Sequence, residues 1–225
     1  MILRGRNLLN IRVAFLLAAS AAAFAQQSNT VIDNDQVKVL KVDVQAHQKT
    51  VLHEHKVNRV MIYLQAGKQD FEYQDGKKSS LTWKANEAKW SPASGMHIAE
   101  ITSANPVTIV EIELKKPGSG AKLESNPRDP TKIDRKHYKV EFENDQVRVI
   151  RVKIGPHESA PMHKHMLNRV VVYLSDQDMK VTSSDGKETH ADHKAGDVAW
   201  ATPGEHIEAN QADRAFEVYA VEIKN

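Results

Sequence analysis

His53-Glu54-His55-Lys56-Val57-Asn58-Arg59-Val60-Met61-Ile62-Tyr63-Leu64 returns later in the chain as His163-Lys164-His165-Met166-Leu167-Asn168-Arg169-Val170-Val171-Val172-Tyr173-Leu174. The offset is 110 positions, and it aligns far more than these two stretches. Upstream, Asn34-Asp35-Gln36-Val37 meets Asn144-Asp145-Gln146-Val147; downstream, Asp75-Gly76-Lys77 meets Asp185-Gly186-Lys187, and Trp90 meets Trp200. One extra residue then sits in the first copy, after which His97-Ile98 meets His206-Ile207 and Glu113-Leu114-Lys115 meets Glu222-Ile223-Lys224. Self-similarity at a fixed offset marks a repeated structural unit, and this repeat is of domain size. The segment from 116 to 136 holds Pro117, Gly118, Ser119, Gly120, Pro127 and Pro130 without sustained periodicity, which is linker composition. The reading is therefore two domains, residues 28–115 and 137–225, joined by a linker at 116–136.

Each copy reads as strands. Val110, Ile112 and Leu114 alternate with Glu111 and Glu113, and Tyr219, Val221 and Ile223 repeat the pattern. A two-residue period of this kind is a half-buried strand. Val170 to Leu174 is a continuous apolar run, as expected for a strand covered on both faces. The opening strand changes parity in both copies, from Val37 and Val39 to Leu40, Val42 and Val44, and from Val147 and Val149 to Ile150, Val152 and Ile154. A β-bulge or burial of both faces accounts for that change. Asp75-Gly76 and Asp185-Gly186 are hairpin turn sequences, and no window forms an amphipathic helix. The fold class is all-β, with short strands closing into sandwiches or barrels so that few edges stay exposed.

The N-terminus is different. Arg4, Arg6 and Arg12 precede an apolar run from Val13 to Ala23, which ends in Ala23-Phe24-Ala25 before Gln26. A basic start, a short apolar centre and small residues two apart predict a signal peptide over residues 1–25, cleaved after Ala25, and a periplasmic or secreted protein. The run is short for a membrane span, so no stable membrane insertion is expected once the leader is gone. The chain has 31 Lys and Arg against 29 Asp and Glu, and three of the basic residues lie in the leader. What remains is close to neutral, with no basic stripe for nucleic acid. There is no cysteine, which excludes disulfides, thiol catalysis, iron–sulfur clusters and all-cysteine zinc sites. No Ser-His-Asp arrangement with a supporting motif and no phosphate-binding glycine loop is present.

The histidines carry the chemistry. His53 and His55 are two apart in a strand-like segment, so both side chains fall on one face, and the same holds for His163 and His165. A third histidine, His97 or His206, follows in each copy after a strand and turn. Two imidazoles from one strand and one from another can surround a divalent ion, and neutral imidazole suits Fe, Mn, Zn, Cu or Ni. Three protein ligands leave positions open for water or substrate.

On these residues the chain resembles the two-domain cupins, or bicupins. Their first motif, a turn followed by H-x-H, is matched by Gly155-Pro156-His157-Glu158-Ser159-Ala160-Pro161-Met162-His163-Lys164-His165. Their second, Gly-Asp, Pro-Gly, then His and Asn, is matched by Gly196-Asp197, Pro203-Gly204, His206 and Asn210. The first copy keeps His53, His55 and His97 but has Asn86 for Gly196 and Ile101 for Asn210. The resemblance implies two tandem jelly-roll β-barrels related by internal duplication. It leaves the reaction open, because cupins include dioxygenases, isomerases, lyases and non-catalytic binders. There are departures. The usual turn glycine before H-x-H is either replaced by His47 and His157 or displaced, and the second motif of the second copy is one residue short.

Arg59 and Arg169 occupy the place of the usual glutamate ligand, with the parity of the histidines. Arginine cannot ligate a metal. Three readings follow: each anchors an anionic substrate beside a three-histidine metal, replaces the metal's charge in a metal-free anion pocket, or turns outward to a surface acid. The sequence thus supports a metal-dependent enzyme, a dioxygenase, isomerase or lyase acting on a small molecule. The alternative is a metal-free binder of small anions or sugars, or a structural cupin, either of them able to associate as a homo-oligomer. If one pocket is active, the second copy is expected to be the one, since its second motif is more complete.

Overall fold

The computed structural model describes residues 27–119 and 124–224. The predicted signal peptide lies outside them. In the first copy one sheet runs, in spatial order, β1 (Gln27–Asp33), β2 (Val37–Val44), β9 (Val107–Leu114), β4 (Arg59–Tyr63) and β7 (Glu87–Ser91). The facing sheet runs β3 (His53–His55), β8 (Ser94–Ile101), β5 (Gly67–Tyr73) and β6 (Lys78–Trp83). The second copy repeats both. Its larger sheet is β10 (Tyr138–Glu143), β11 (Val147–Ile154), β18 (Phe216–Ile223), β13 (Arg169–Tyr173) and β16 (Val198–Ala201), and its smaller one is β12 (Ser159–His165), β17 (Gly204–Asn210), β14 (Met179–Ser183) and β15 (Glu188–Ala191). Neighbouring strands are antiparallel throughout, as in β2 with β9 and β11 with β18. The architecture is two tandem jelly-roll barrels.

The larger sheets are buried on both faces, which explains their sequences. One face lines its own barrel: Val42, Val44, Met61 and Ile109 in the first copy, Ile150, Val152, Tyr173 and Val218 in the second. The other face packs against the opposite copy. Val37, Val39, Val60 and Ile62 form a single cluster with Val147, Val149, Val170 and Val172. The parity change in β2 therefore reflects burial of both faces, since β2 and β9 pair without a register shift. A shift does occur one strand away, between Thr30 and Ile32 against β2. Polar exchange closes the seam: Asn58 Nδ2 donates to Gln146 Oε1 at 2.5 Å, and Asn168 Nδ2 donates to Gln36 Oε1 at 2.7 Å.

Turn chemistry is where the departures from the glycine pattern resolve. His47 (φ 60°) and His157 (φ 55°) adopt the left-handed conformation of the glycines they replace, and Asn86 (φ 56°) does so opposite Gly196 (φ 86°). This backbone region costs little for glycine and is tolerated by Asn and His. The inter-repeat segment contains one helical turn, α1 (Pro130–Ile133), capped by Asp129, whose Oδ1 accepts from the Thr131 N–H at 2.9 Å. Four residues carry no periodicity, so the sequence pattern does not register it. No helix among the described residues is long and apolar enough to cross a membrane.

Candidate metal centres

Each barrel brings its three histidines together. β3 pairs with β8 so that His53 stands opposite His97, and β12 pairs with β17 so that His163 stands opposite His206. In each triad one ring nitrogen per residue lies within 4.8 Å of the others. Ring centroids are 4.6–5.3 Å apart in the first copy and 4.5–5.7 Å in the second. These groups could hold a divalent metal.

In the second triad two of the three rings present an Nε2 lone pair inward. His163 Nδ1 is 2.9 Å from the Pro161 carbonyl oxygen, and His165 Nδ1 is 2.9 Å from Glu222 Oε1. Both partners are acceptors, so each Nδ1 carries the proton and each Nε2 keeps a lone pair for the centre. Burial holds the His163 imidazole down at about 4 against the opposing pull of Glu208. It lowers His165 in the same direction, although the Glu222 hydrogen bond opposes it. Both rings are thus neutral at ordinary pH, the form that ligates. Glu222 is fully buried. Burial pushes its carboxyl up, but His165 and Arg148 outweigh that and leave it below the ordinary range.

Two groups the sequence reading missed complete this site. Glu208 Oε1 lies 3.5 Å from His206 Nε2, and Glu208 Oε2 accepts from the Tyr138 hydroxyl at 2.7 Å. The same hydroxyl is 3.3 Å from His163 Nε2. Burial raises the Glu208 carboxyl, but the His206 contact, the hydrogen bond from Tyr138 and the neighbouring His163 imidazole bring it below its usual range. Neither residue has a like partner in the first copy, where Ala99 and Ser28 occupy the corresponding positions. Only strand parity could have pointed to Glu208, two residues beyond His206.

The first triad is arranged differently. His53 Nδ1 donates to the Val51 carbonyl at 2.8 Å and His97 Nδ1 to the Gly95 carbonyl at 2.8 Å. His55 Nδ1, however, sits 2.8 Å from Arg59 Nη1. A guanidinium only donates, so Nδ1 must accept, and the neutral ring then carries its proton on Nε2. That Nε2 is 3.1 Å from His53 Nε2. The chain Arg59 to His55 to His53 to Val51 is satisfied without an ion. Burial, with the Arg59 charge behind it, holds His55 down at about 3.

Arg59 and Arg169 are both buried, at 6% and 8% exposure. The outward-pointing reading is thereby excluded. Arg59 also donates to Glu111 at 3.2 Å and Ser91 at 2.9 Å, while its Nε is buried without a partner. It lines a cavity of about 300 Å³ together with the three histidines, Tyr73 and Glu111. Burial raises the Glu111 carboxyl despite Arg59. Arg169 Nη1 donates to the Thr202 carbonyl at 2.9 Å. Glu205, the neighbour of His206, pairs with Arg128. Asn58 and Asn168 bridge the two barrels.

No protein-family model and no curated protein matches the sequence. Solved structures do match its fold. AerE from Microcystis aeruginosa is 13% identical, with 89% of this chain and 98% of that chain covered and a TM-score of 0.61. Bacillus subtilis oxalate decarboxylase, described with Mn(II) centres, is 12% identical over 89% of this chain and 72% of its own, with a TM-score of 0.61. A Cupin 2 conserved barrel domain protein from Leptotrichia buccalis is 13% identical over 88% and 89%, with a TM-score of 0.54. At these identities the likeness is one of fold: two tandem cupin-type barrels.

Proposed function

We propose that the chain is an exported, metal-dependent bicupin enzyme whose working centre is the second barrel, acting on a small organic anion. The observation that carries this reading is the pair of Nδ1 bonds that turn His163 and His165 toward a common point, beside the Glu208 carboxylate. His163, His165 and His206 would hold the ion. When bound, the ion would supply Lewis-acid polarisation of a substrate oxygen, or redox chemistry if it is iron or copper. Arg169, buried and tied at one nitrogen to Thr202, would pair with the substrate's negative group. Glu208 would take or return a proton at its carboxylate oxygen, with the Tyr138 hydroxyl holding that carboxylate in place. With a redox-inert ion this set serves isomerisation or elimination; with a redox-active one it serves oxidative cleavage. The similar fold of a Mn(II)-containing oxalate decarboxylase supports a divalent ion and a small acidic substrate.

For the first barrel a specific observation favours the second reading. The hydrogen-bond chain from Arg59 to Val51 needs no metal, and the cavity beside it offers a buried, unpartnered Arg59 Nε. We assign it as a metal-free pocket for a small anion. Metal analysis of the purified mature protein tests both assignments. One equivalent is expected, lost in His163→Ala and kept in His53→Ala. A metal-free protein that also refuses Mn, Fe, Zn, Cu and Ni on reconstitution would sink the enzyme reading, and metal held solely by His53, His55 and His97 would reverse the assignment. Export is tested by sequencing the N-terminus of the extracytoplasmic protein, which should begin at Gln26.

A further inference from the structure

The segment joining the repeats does more than connect them. From residue 124 onward it lies along the second barrel beside β12. Lys164 sits between His163 and His165, and both of its backbone groups are taken by this segment: its N–H donates to the Arg128 carbonyl at 2.8 Å, and its carbonyl accepts from Asn126 Nδ2 at 2.7 Å. A second connection runs through side chains. Asp129 Oδ2 accepts from Arg148 Nη1 at 2.6 Å; Arg148 reaches Glu222 Oε2 with Nε and Nη2, each at 2.6 Å; and Glu222 Oε1 accepts from His165 Nδ1 at 2.9 Å. All four residues are buried, at 5%, 7%, 0% and 3% exposure. Geometry makes the relay directional: Arg148 can only donate, so it fixes both carboxylates as acceptors, and Glu222 fixes the His165 tautomer.

We propose that Asp129 and Arg148 are positioning residues for the second metal centre, so that the inter-repeat segment sets how tightly His165 binds an ion. This rests on the reading that His163, His165 and His206 hold a metal. The first copy lacks the device: Lys38 stands where Arg148 does, and Arg59, not a carboxylate, meets the second histidine of the H-x-H pair.

Asp129 has two separable jobs, which makes the test clean. Oδ1 caps α1 through Thr131, whereas Oδ2 serves Arg148. Asp129→Asn keeps an oxygen for the cap and removes the charge that fixes Arg148. Arg148→Lys keeps a positive charge and removes the fork that grips both acids. The full mature chain is titrated with Co(II) and Zn(II) against a chromophoric chelator, and the Co(II) absorption spectrum is recorded. Either variant is expected to bind more weakly, by up to the roughly 10–100-fold that losing a direct partner of a ligand histidine costs, since both act through Glu222, with a shifted Co(II) spectrum. Asp129→Glu should restore part of the affinity. A lowered melting temperature with unchanged affinity and spectrum would mean that Asp129 merely holds the helix, and would overturn the proposal. Should Asp129→Asn not fold, Arg148→Lys decides by the same readouts. Failure of the wild-type protein to bind either ion would refute the underlying metal reading instead, and is told apart by that control.

Discussion

If Arg59 is what keeps the first triad free of metal, Arg59→Met should create a second metal site. Methionine fills much of the arginine's length and donates nothing. In the wild-type protein an ion at His53, His55 and His97 requires His55 to move its proton from Nε2 to Nδ1, and Nδ1 is the atom that Arg59 contacts at 2.8 Å. Binding would therefore break a hydrogen bond from a charged donor, costing about 1.5–3 kcal/mol. At about 1.4 kcal/mol per decade this is a factor of roughly 10 to 150 in affinity, and repulsion between the guanidinium and the ion adds in the same direction. Removing Arg59 also leaves Glu111, with 12% side-chain exposure, without the cation 3.2 Å away. Stranding one partner of a buried pair costs about 3–5 kcal/mol; the lower end is expected, because burial already favours the protonated Glu111 carboxyl. The double variant Arg59→Met, Glu111→Ala avoids that cost and copies Ala220, the residue at the matching place in the second barrel. The assay is metal equivalents per chain by mass spectrometry, with competition titration for affinity. Two equivalents are expected in the double variant and one in the wild type. A folded double variant that still takes up one equivalent, or a wild-type first site as tight as the second, would refute the tautomer argument.

Three further outcomes follow from the same contacts. Chelation should lower the melting temperature of the wild-type protein but not of His163→Ala; at free metal near a thousand times Kd the linkage is about 4 kcal/mol, or roughly 8–16 °C for a chain of this size, and calorimetry with and without chelator checks it. In the metal-free protein the depressed His163 pKa, about 4, means that the folded state binds fewer protons than the unfolded chain below the ordinary histidine value. Stability should therefore be intact above about pH 6.5 and fall by about 3 kcal/mol as pH drops toward 4; denaturant titrations should show a shallower decline in His163→Gln, and a flat wild-type profile over that window would count against a neutral buried ring. Ile62→Ala, in the core shared by both barrels, should cost about 2–5 kcal/mol and keep a single unfolding transition; two separated transitions would mean the barrels unfold independently.

Much of the fold was legible because it is written twice. Period-two alternation in β9 and β18 located the strands, and the uninterrupted apolar run of β13 reported burial on both faces. His47, His157 and Asn86, departures from the glycine pattern in the sequence, keep a left-handed backbone in the structure. The histidine triads followed from spacing and register. What the repeat could not convey is what differs between the copies. Glu208 and Tyr138 fall opposite Ala99 and Ser28, so a comparison of the copies passes over them. The roles of Arg148 and Asp129 depend on a segment without periodicity folding back along β12, which only tertiary packing determines. Arg59 and Arg169 occupy one aligned position and yet meet different partners, a histidine nitrogen in one barrel and the Thr202 carbonyl in the other.

That last contrast has a physical origin in the way the two barrels are joined. The shared core and the paired Asn–Gln bridges bury the outer faces of both large sheets, so residues such as Val60, Val170 and Ile112 face an apolar partner and tolerate little change. The inner faces carry no such mutual constraint. On β9 and β18 the inward positions read Glu111 and Glu113 in one barrel, Ala220 and Glu222 in the other. With Glu111 present, Arg59 is drawn between it and His55. With Ala220 there instead, no acid stands at that place to hold Arg169, and Glu222 is left to Arg148 and His165. If the acid at this inward position is what holds Arg59 on His55, it also sets which nitrogen of the second histidine faces the centre. Glu111→Ala alone should accordingly weaken the hold on Arg59 and raise metal affinity at the first triad part of the way toward the double variant. An unchanged affinity in Glu111→Ala, alongside a gain in the double variant, would place the control in Arg59 itself and not in the acid beside it.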